Sequence, residues 1–116
     1  MELSDYTIQK LYDAFNARDI DSVTAALHQD VDWPNGWEGG RLRGREAVRE
    51  YWLRQWKAIS PHVEPTRVRT GKDGRVVVDV HARIQDKEGK PLAEQTVEHV
   101  YTFEEGLIKR MDIQTP

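Results

Sequence analysis

The order of patterns across residues 15–52 constrains this chain most. Phe15-Asn16-Ala17-Arg18-Asp19-Ile20-Asp21 closes one helix and opens another. Leu27-His28-Gln29-Asp30-Val31-Asp32-Trp33-Pro34-Asn35-Gly36-Trp37 carries a single strand into a loop, and Gly44-Arg45-Glu46-Ala47-Val48-Arg49-Glu50-Tyr51-Trp52 starts a third helix rich in aromatics. Ahead of this run, Ile8, Leu11, Tyr12 and Phe15 repeat at helical spacing behind an N-cap at Ser4 or Asp5. Residues 16–19 break that helix, and Asp19 caps a second, short one that carries Val23, Ala26 and Leu27 inward. Val31 and Trp33 alternate as a brief strand until Pro34, which has no N–H to give a sheet ladder. Residues 35–44 hold four glycines and read as a loop.

The third helix is predicted over residues 45–59. Ala47, Val48, Tyr51, Trp52, Gln55, Trp56 and Ile59 form one stripe on it, with Glu46, Arg49, Glu50, Arg54 and Lys57 facing water. Pro61 stops it. Strands are then expected at about residues 62–70, 75–85, 93–103 and 107–113, separated by hairpin signals at 71–74, 86–89 and 104–106. Three helices followed by an antiparallel meander is an α+β arrangement, in which the sheet must cover the helices to bury both apolar faces.

This order and these spacings resemble the nuclear transport factor 2-like superfamily, which includes ketosteroid isomerases, scytalone dehydratase and SnoaL-like polyketide cyclases. The resemblance implies a single domain over residues 1–116: an α+β fold in which a cone-shaped, curved antiparallel sheet wraps on three helices and leaves a pocket with an open mouth. It also implies a homodimer through the outer face of the sheet. Members use the pocket for unrelated chemistry, so the likeness bears on fold more than on reaction.

Composition narrows the partners. There is no cysteine, which excludes disulfides, thiol catalysis and thiolate metal sites. No His-x-x-x-His or Glu-x-x-His spacing sets two ligands on one helical face, and the expectation is a protein with no metal and no cofactor. A net charge of -3 argues against nucleic acid. No apolar run nears the roughly 20 residues that span a bilayer, and no basic-then-apolar signal opens the chain; the expectation is a cytoplasmic protein with no membrane partner.

Candidate chemistry centres on the strand at 93–103, where Val97, His99, Tyr101 and Phe103 share one face by alternation. With Glu105-Gly106 as a two-residue hairpin loop, Phe103 pairs with Ile108, Tyr101 with Arg110 and His99 with Asp112. His99 would then be a general acid/base and Asp112 the carboxylate that orients it. A three-residue loop would set Met111 opposite instead, and a histidine on an apolar face can also be a satisfied wall residue. By the resemblance, His99 falls where ketosteroid isomerases carry the acid that donates to the oxyanion. Asn35 stands where they carry the catalytic carboxylate, and Leu11 where they carry the oxyanion tyrosine, with Tyr12 one residue away. Asn35 cannot abstract a proton, so steroid-type isomerisation is not expected. A His/Asp pair resembles the SnoaL-like cyclases, whose acid/base groups also come from the sheet.

The expected binding residues are Tyr12, Asn35 and Tyr101 as hydrogen-bond donors, Arg110, and four tryptophans. Trp33, Trp52 and Trp56 face inward, and Trp37 sits in the glycine-rich loop near the mouth, as core filling or as a lid over an apolar ligand. His81 and Asp79 read as outer-face groups, His28 as the end of the second helix and His62 as a loop residue. Arg41, Arg43, Arg45 and Arg49 are either an anion site or a solvated face interleaved with Glu46 and Glu50. The function expected is a pocket protein that binds a small, mostly apolar metabolite, with cofactor-independent isomerisation, cyclisation or hydrolysis as its chemistry. The alternative is a non-catalytic ligand-binding or dimerisation module.

Overall fold

The computed structural model describes residues 5–71 and 73–115. Ser4, one of the two expected caps, lies outside them. Helix α1 spans Asp5–Asn16. It ends where Arg18 takes a left-handed backbone (φ 62°), which lets the amide of Asp19 reach back to the carbonyl of Ala14 at 2.9 Å. The Asp19 side chain then accepts from the Ser22 amide and caps α2, Ile20–Thr24. This helix is shorter than its pattern suggested. Leu27 belongs instead to strand β1, Leu27–Pro34, which is paired on both edges.

Inside the stretch read as loop, Arg41–Arg43 forms a short strand, β2, that folds back on β1 with Pro34 opposite Arg41. Gly44 (φ 97°) turns the chain into α3, Arg45–Ala58, and Ile59 is already extended. Strands β3 (Ser60–Thr70), β4 (Val76–Gln85), β5 (Pro91–Glu104) and β6 (Leu107–Gln114) complete a curved, unclosed six-stranded sheet in the order β2-β1-β6-β5-β4-β3. All neighbours are antiparallel except β1 and β6, which run parallel. The concave face packs on the helices, α1 against β3 and α3 against β1. Ile8, Val23, Leu27, Val31, Val48, Val78 and Val80 are fully buried between them. No helix among the described residues is long and apolar enough to cross a membrane.

One local feature changes the expected site. The β5–β6 turn has two residues, Glu105 and Gly106, both with positive φ, so Phe103 does face Ile108. Lys109 then bulges out, and from there the ladder is shifted by one: Thr102 pairs with Arg110, Tyr101 with Met111, Val100 with Asp112 and His99 with Ile113. Because side chains alternate, a one-residue shift turns the whole remaining strand over. The inward positions of β6 are Met111 and Ile113, while Arg110 and Asp112 point to the outer face.

Candidate functional site

The concave sheet and the helices enclose a cavity of about 210 Å³. Helix α1 contributes Leu11, Tyr12 and Phe15, and α3 contributes Tyr51, Trp52 and Gln55 at helical spacing. Strand β5 contributes Gln95, Val97, His99 and Tyr101 at spacing two. Gln95 at one end of this set is exposed and Tyr101 at the other is 1% exposed, so the mouth lies toward Gln95 and the floor at Tyr101. No aspartate, glutamate, lysine or arginine among the described residues lines the cavity.

The floor holds three polar groups in one chain. The Tyr12 hydroxyl lies 2.7 Å from the Tyr101 hydroxyl and 2.7 Å from Nδ1 of His99. Burial raises the pKa of both phenols above the ordinary tyrosine value, and Tyr101 pushes Tyr12 up further, so both keep their protons. Burial lowers the pKa of the His99 imidazole to about 4, leaving the ring neutral at physiological pH.

Counting donors fixes the direction of the chain. Tyr12 is the one hydrogen-bond partner of the Tyr101 hydroxyl among the described residues. If Tyr12 donated to Tyr101, the buried Tyr101 proton would have no acceptor, at a cost of about 1–3 kcal/mol. With Tyr101 donating to Tyr12, and Tyr12 donating to Nδ1 of His99, both phenol protons are placed. The neutral ring then carries its own proton on Nε2, which has no partner among the described residues. The floor therefore presents an uncharged N–H donor.

The expected site residues separate into two groups. Tyr12, Trp33, Trp37, Trp52, His99 and Tyr101 all line the cavity. Trp37 is 40% exposed, and its loop is fastened down. Asn35 is buried beneath that loop, accepting from the Glu38 amide at 2.7 Å and donating to the Glu38 carboxylate at 2.9 Å, while Arg54 holds the same carboxylate from α3. Asn35 is thus a loop fastener rather than a cavity donor, and its neighbours Pro34 and Gly36 form the wall. Trp56 lies behind the lining, against Phe15 and Trp52, with the Arg18 guanidinium over its ring. Asp112 and Arg110 are bonded to one another on the outer face, with Arg41 and Asp32, so Asp112 does not orient His99. The bulge at Lys109 is the reason.

The remaining polar clusters are outside the cavity or committed to protein partners. Asp79 pairs with Arg69, and His81 with Glu94, on the outer face as expected. Arg45 donates to the Leu27 carbonyl, Arg49 pairs with Asp21, and Arg41 and Arg43 converge on Asp32; these are structural ties rather than an open anion site. His62 lies in β3 rather than in a loop, lining the mouth and facing Glu64. His28, Glu104 and Glu105 could bring metal-ligand atoms within 4.8 Å of one another. However, Nδ1 of His28, which lies in β1 and not at the end of α2, accepts the Asp30 amide at 3.0 Å. The proton of the neutral ring then sits on Nε2, beside Glu104, where a metal would need a lone pair. Sequence reading missed Gln95, Met111 and Ile113 as lining residues. Period-two alternation from Tyr101 would have found Gln95, but the other two depend on the bulge.

No curated protein matches the chain. The model of the SnoaL-like domain family matches residues 8–111. Among solved structures, the chain is similar to TerC, co-crystallised with polyporic acid, at 25% identity and a TM-score of 0.78 over 94% of this chain and 88% of that one. It is similar to a nuclear transport factor 2-like protein of unknown function from Burkholderia pseudomallei, at 25% identity and a TM-score of 0.79 over 96% and 88%. A candidate polyketide cyclase from Sinorhizobium meliloti shares 27% identity, with a TM-score of 0.75 over 97% and 95%.

Proposed function

Because the chain belongs to the SnoaL-like domain family, we propose that its function lies in the cavity, which binds a small, uncharged, mostly apolar molecule by one acceptor oxygen held on Nε2–H of His99. The observation that carries this is a lining free of charged side chains, closed at its floor by the neutral Tyr101–Tyr12–His99 chain. A charged ligand would leave water for a wall with no counter-ion, at a cost of several kcal/mol. At an interior packing density of about 0.75, the volume suits roughly 160 Å³ of ligand, the size of two fused rings with a substituent. That TerC was co-crystallised with polyporic acid supports a ligand-binding reading for a fold of this kind. A ring with its proton on Nε2 and a pKa near 4 is a poor base, so the reading is of binding, with the donor polarising a carbonyl.

Tryptophan fluorescence titration tests it. 2-Acetylnaphthalene should bind about tenfold more tightly than naphthalene, the worth of one hydrogen bond, and 2-naphthoate far more weakly than either. Naphthoate binding as tight as the ketone, or no saturable binding of the ketone, would remove the proposal. The homodimer is part of the same proposal, with the outer sheet face as its contact. That face alternates charge, with Arg69 between Asp79 and Glu98, and His81 beside Glu94. A monomer mass by sedimentation at micromolar concentration would contradict it.

A further inference from the structure

Two amide side chains line the cavity, Gln95 exposed toward its mouth and Gln55 half-buried on α3. Gln95 stands on the inward face of β5, in the same register as Val97, His99 and Tyr101, and has no side-chain hydrogen-bond partner among the described residues. Gln55 follows Tyr51 by one turn on α3. Its Nε2 lies 3.5 Å from the Tyr51 hydroxyl, at the limit of a hydrogen bond, and its carbonyl oxygen has no partner among the described residues. Cavity walls built mostly of aromatic and aliphatic side chains gain nothing in packing from a primary amide. His62, the other polar side chain near the mouth, already faces Glu64.

We propose that the cavity has two polar stations, and that its ligand carries a second uncharged polar group, such as a hydroxyl, bound by Gln55 and Gln95 at the end opposite its carbonyl. This rests on the binding reading above and adds a length requirement to it. Gln95 and His99 are four residues apart on one strand face, so their Cα atoms are roughly 13 Å apart at about 3.3 Å per residue. Both side chains line the cavity. A primary amide donates and accepts, so the hydroxyl is satisfied in either orientation. An ionised group would find no counter-charge on the wall. Gln55 and Gln95 thus act as specificity-determining residues that select ligands polar at both ends.

The test compares 2-acetylnaphthalene with 6-hydroxy-2-acetylnaphthalene by tryptophan fluorescence. Wild-type protein should bind the hydroxy ketone about five- to tenfold more tightly, as expected for one added hydrogen bond competing with water. Gln55→Leu and Gln95→Leu should each reduce that ratio. The double variant should bring that ratio, the quantity the test reads, within about twofold. If the two ketones bind wild type equally, or the ratio survives in the double variant, the second station is overturned and the binding reading stands. If neither ketone binds saturably, the binding reading falls and takes the second station with it.

Discussion

Lowering the pH from 6.5 to about 4 should remove about 3 kcal/mol of folding stability from the wild-type protein that a His99→Gln variant retains. The imidazole is neutral in the folded protein down to about pH 4, because burial opposes its charge. In the unfolded chain it takes up a proton near pH 6.5. Between those limits the unfolded state binds more protons, so stability falls as pH falls, at up to about 1.4 kcal/mol per pH unit. Above pH 6.5 the contribution is fully present, and below about 4 no more is lost. Glutamine can accept the Tyr12 proton without titrating. Urea unfolding of both proteins at pH 7, 5.5 and 4.5 measures the difference, and subtracting the variant removes the carboxylates common to both. Parallel pH profiles would show that water in the cavity solvates the ring.

Tyr12→Phe should destabilise the fold by about 3 kcal/mol, and Tyr101→Phe by only about 1 kcal/mol, although the two changes remove the same atom type from one network. Loss of the Tyr12 hydroxyl strands both the Tyr101 proton and the His99 Nδ1 lone pair in a buried place, at about 1–3 kcal/mol each. Loss of the Tyr101 hydroxyl leaves Tyr12 still donating to His99, with only an unfilled acceptor. The reverse proton order predicts a larger cost at Tyr101, since Tyr12 would then lose its acceptor. Nitrogen chemical shifts of His99 provide an independent readout: a protonated Nε2 and an unprotonated Nδ1 are expected. A proton on Nδ1 would invert the donor character of the floor, and the ligand chemistry with it.

Much of this architecture was legible in local patterns. The α3 stripe placed Tyr51, Trp52 and Gln55 on one face, and alternation along β5 aligned His99 with Tyr101, because both periods follow from backbone geometry alone. The convergence of Tyr12 on those residues was suggested only by the family likeness, since α1 and β5 are far apart in sequence. Strand β2 was hidden because Arg41, Leu42 and Arg43 are too few to show a period. The turn at Glu105-Gly106 was correctly sized, yet the position of Asp112 still came out inverted. A bulge at Lys109 leaves no trace in turn length or composition. Asn35 carried no signal that its amide would be used by Glu38, because that contact depends on how the loop closes over α3.

The bulge also says something about how such pockets diversify. Were Lys109 paired in the ladder instead of bulged out, the pleat would present Arg110 and Asp112 inward, next to the imidazole, and the interior would hold a cation and an anion in place of Met111 and Ile113. The difference between an oily chamber and an ionic one is here whether one residue of a single hairpin is paired or bulged. A change in that pairing alone remodels the chemistry of the interior without changing the identity of any side chain on the strand.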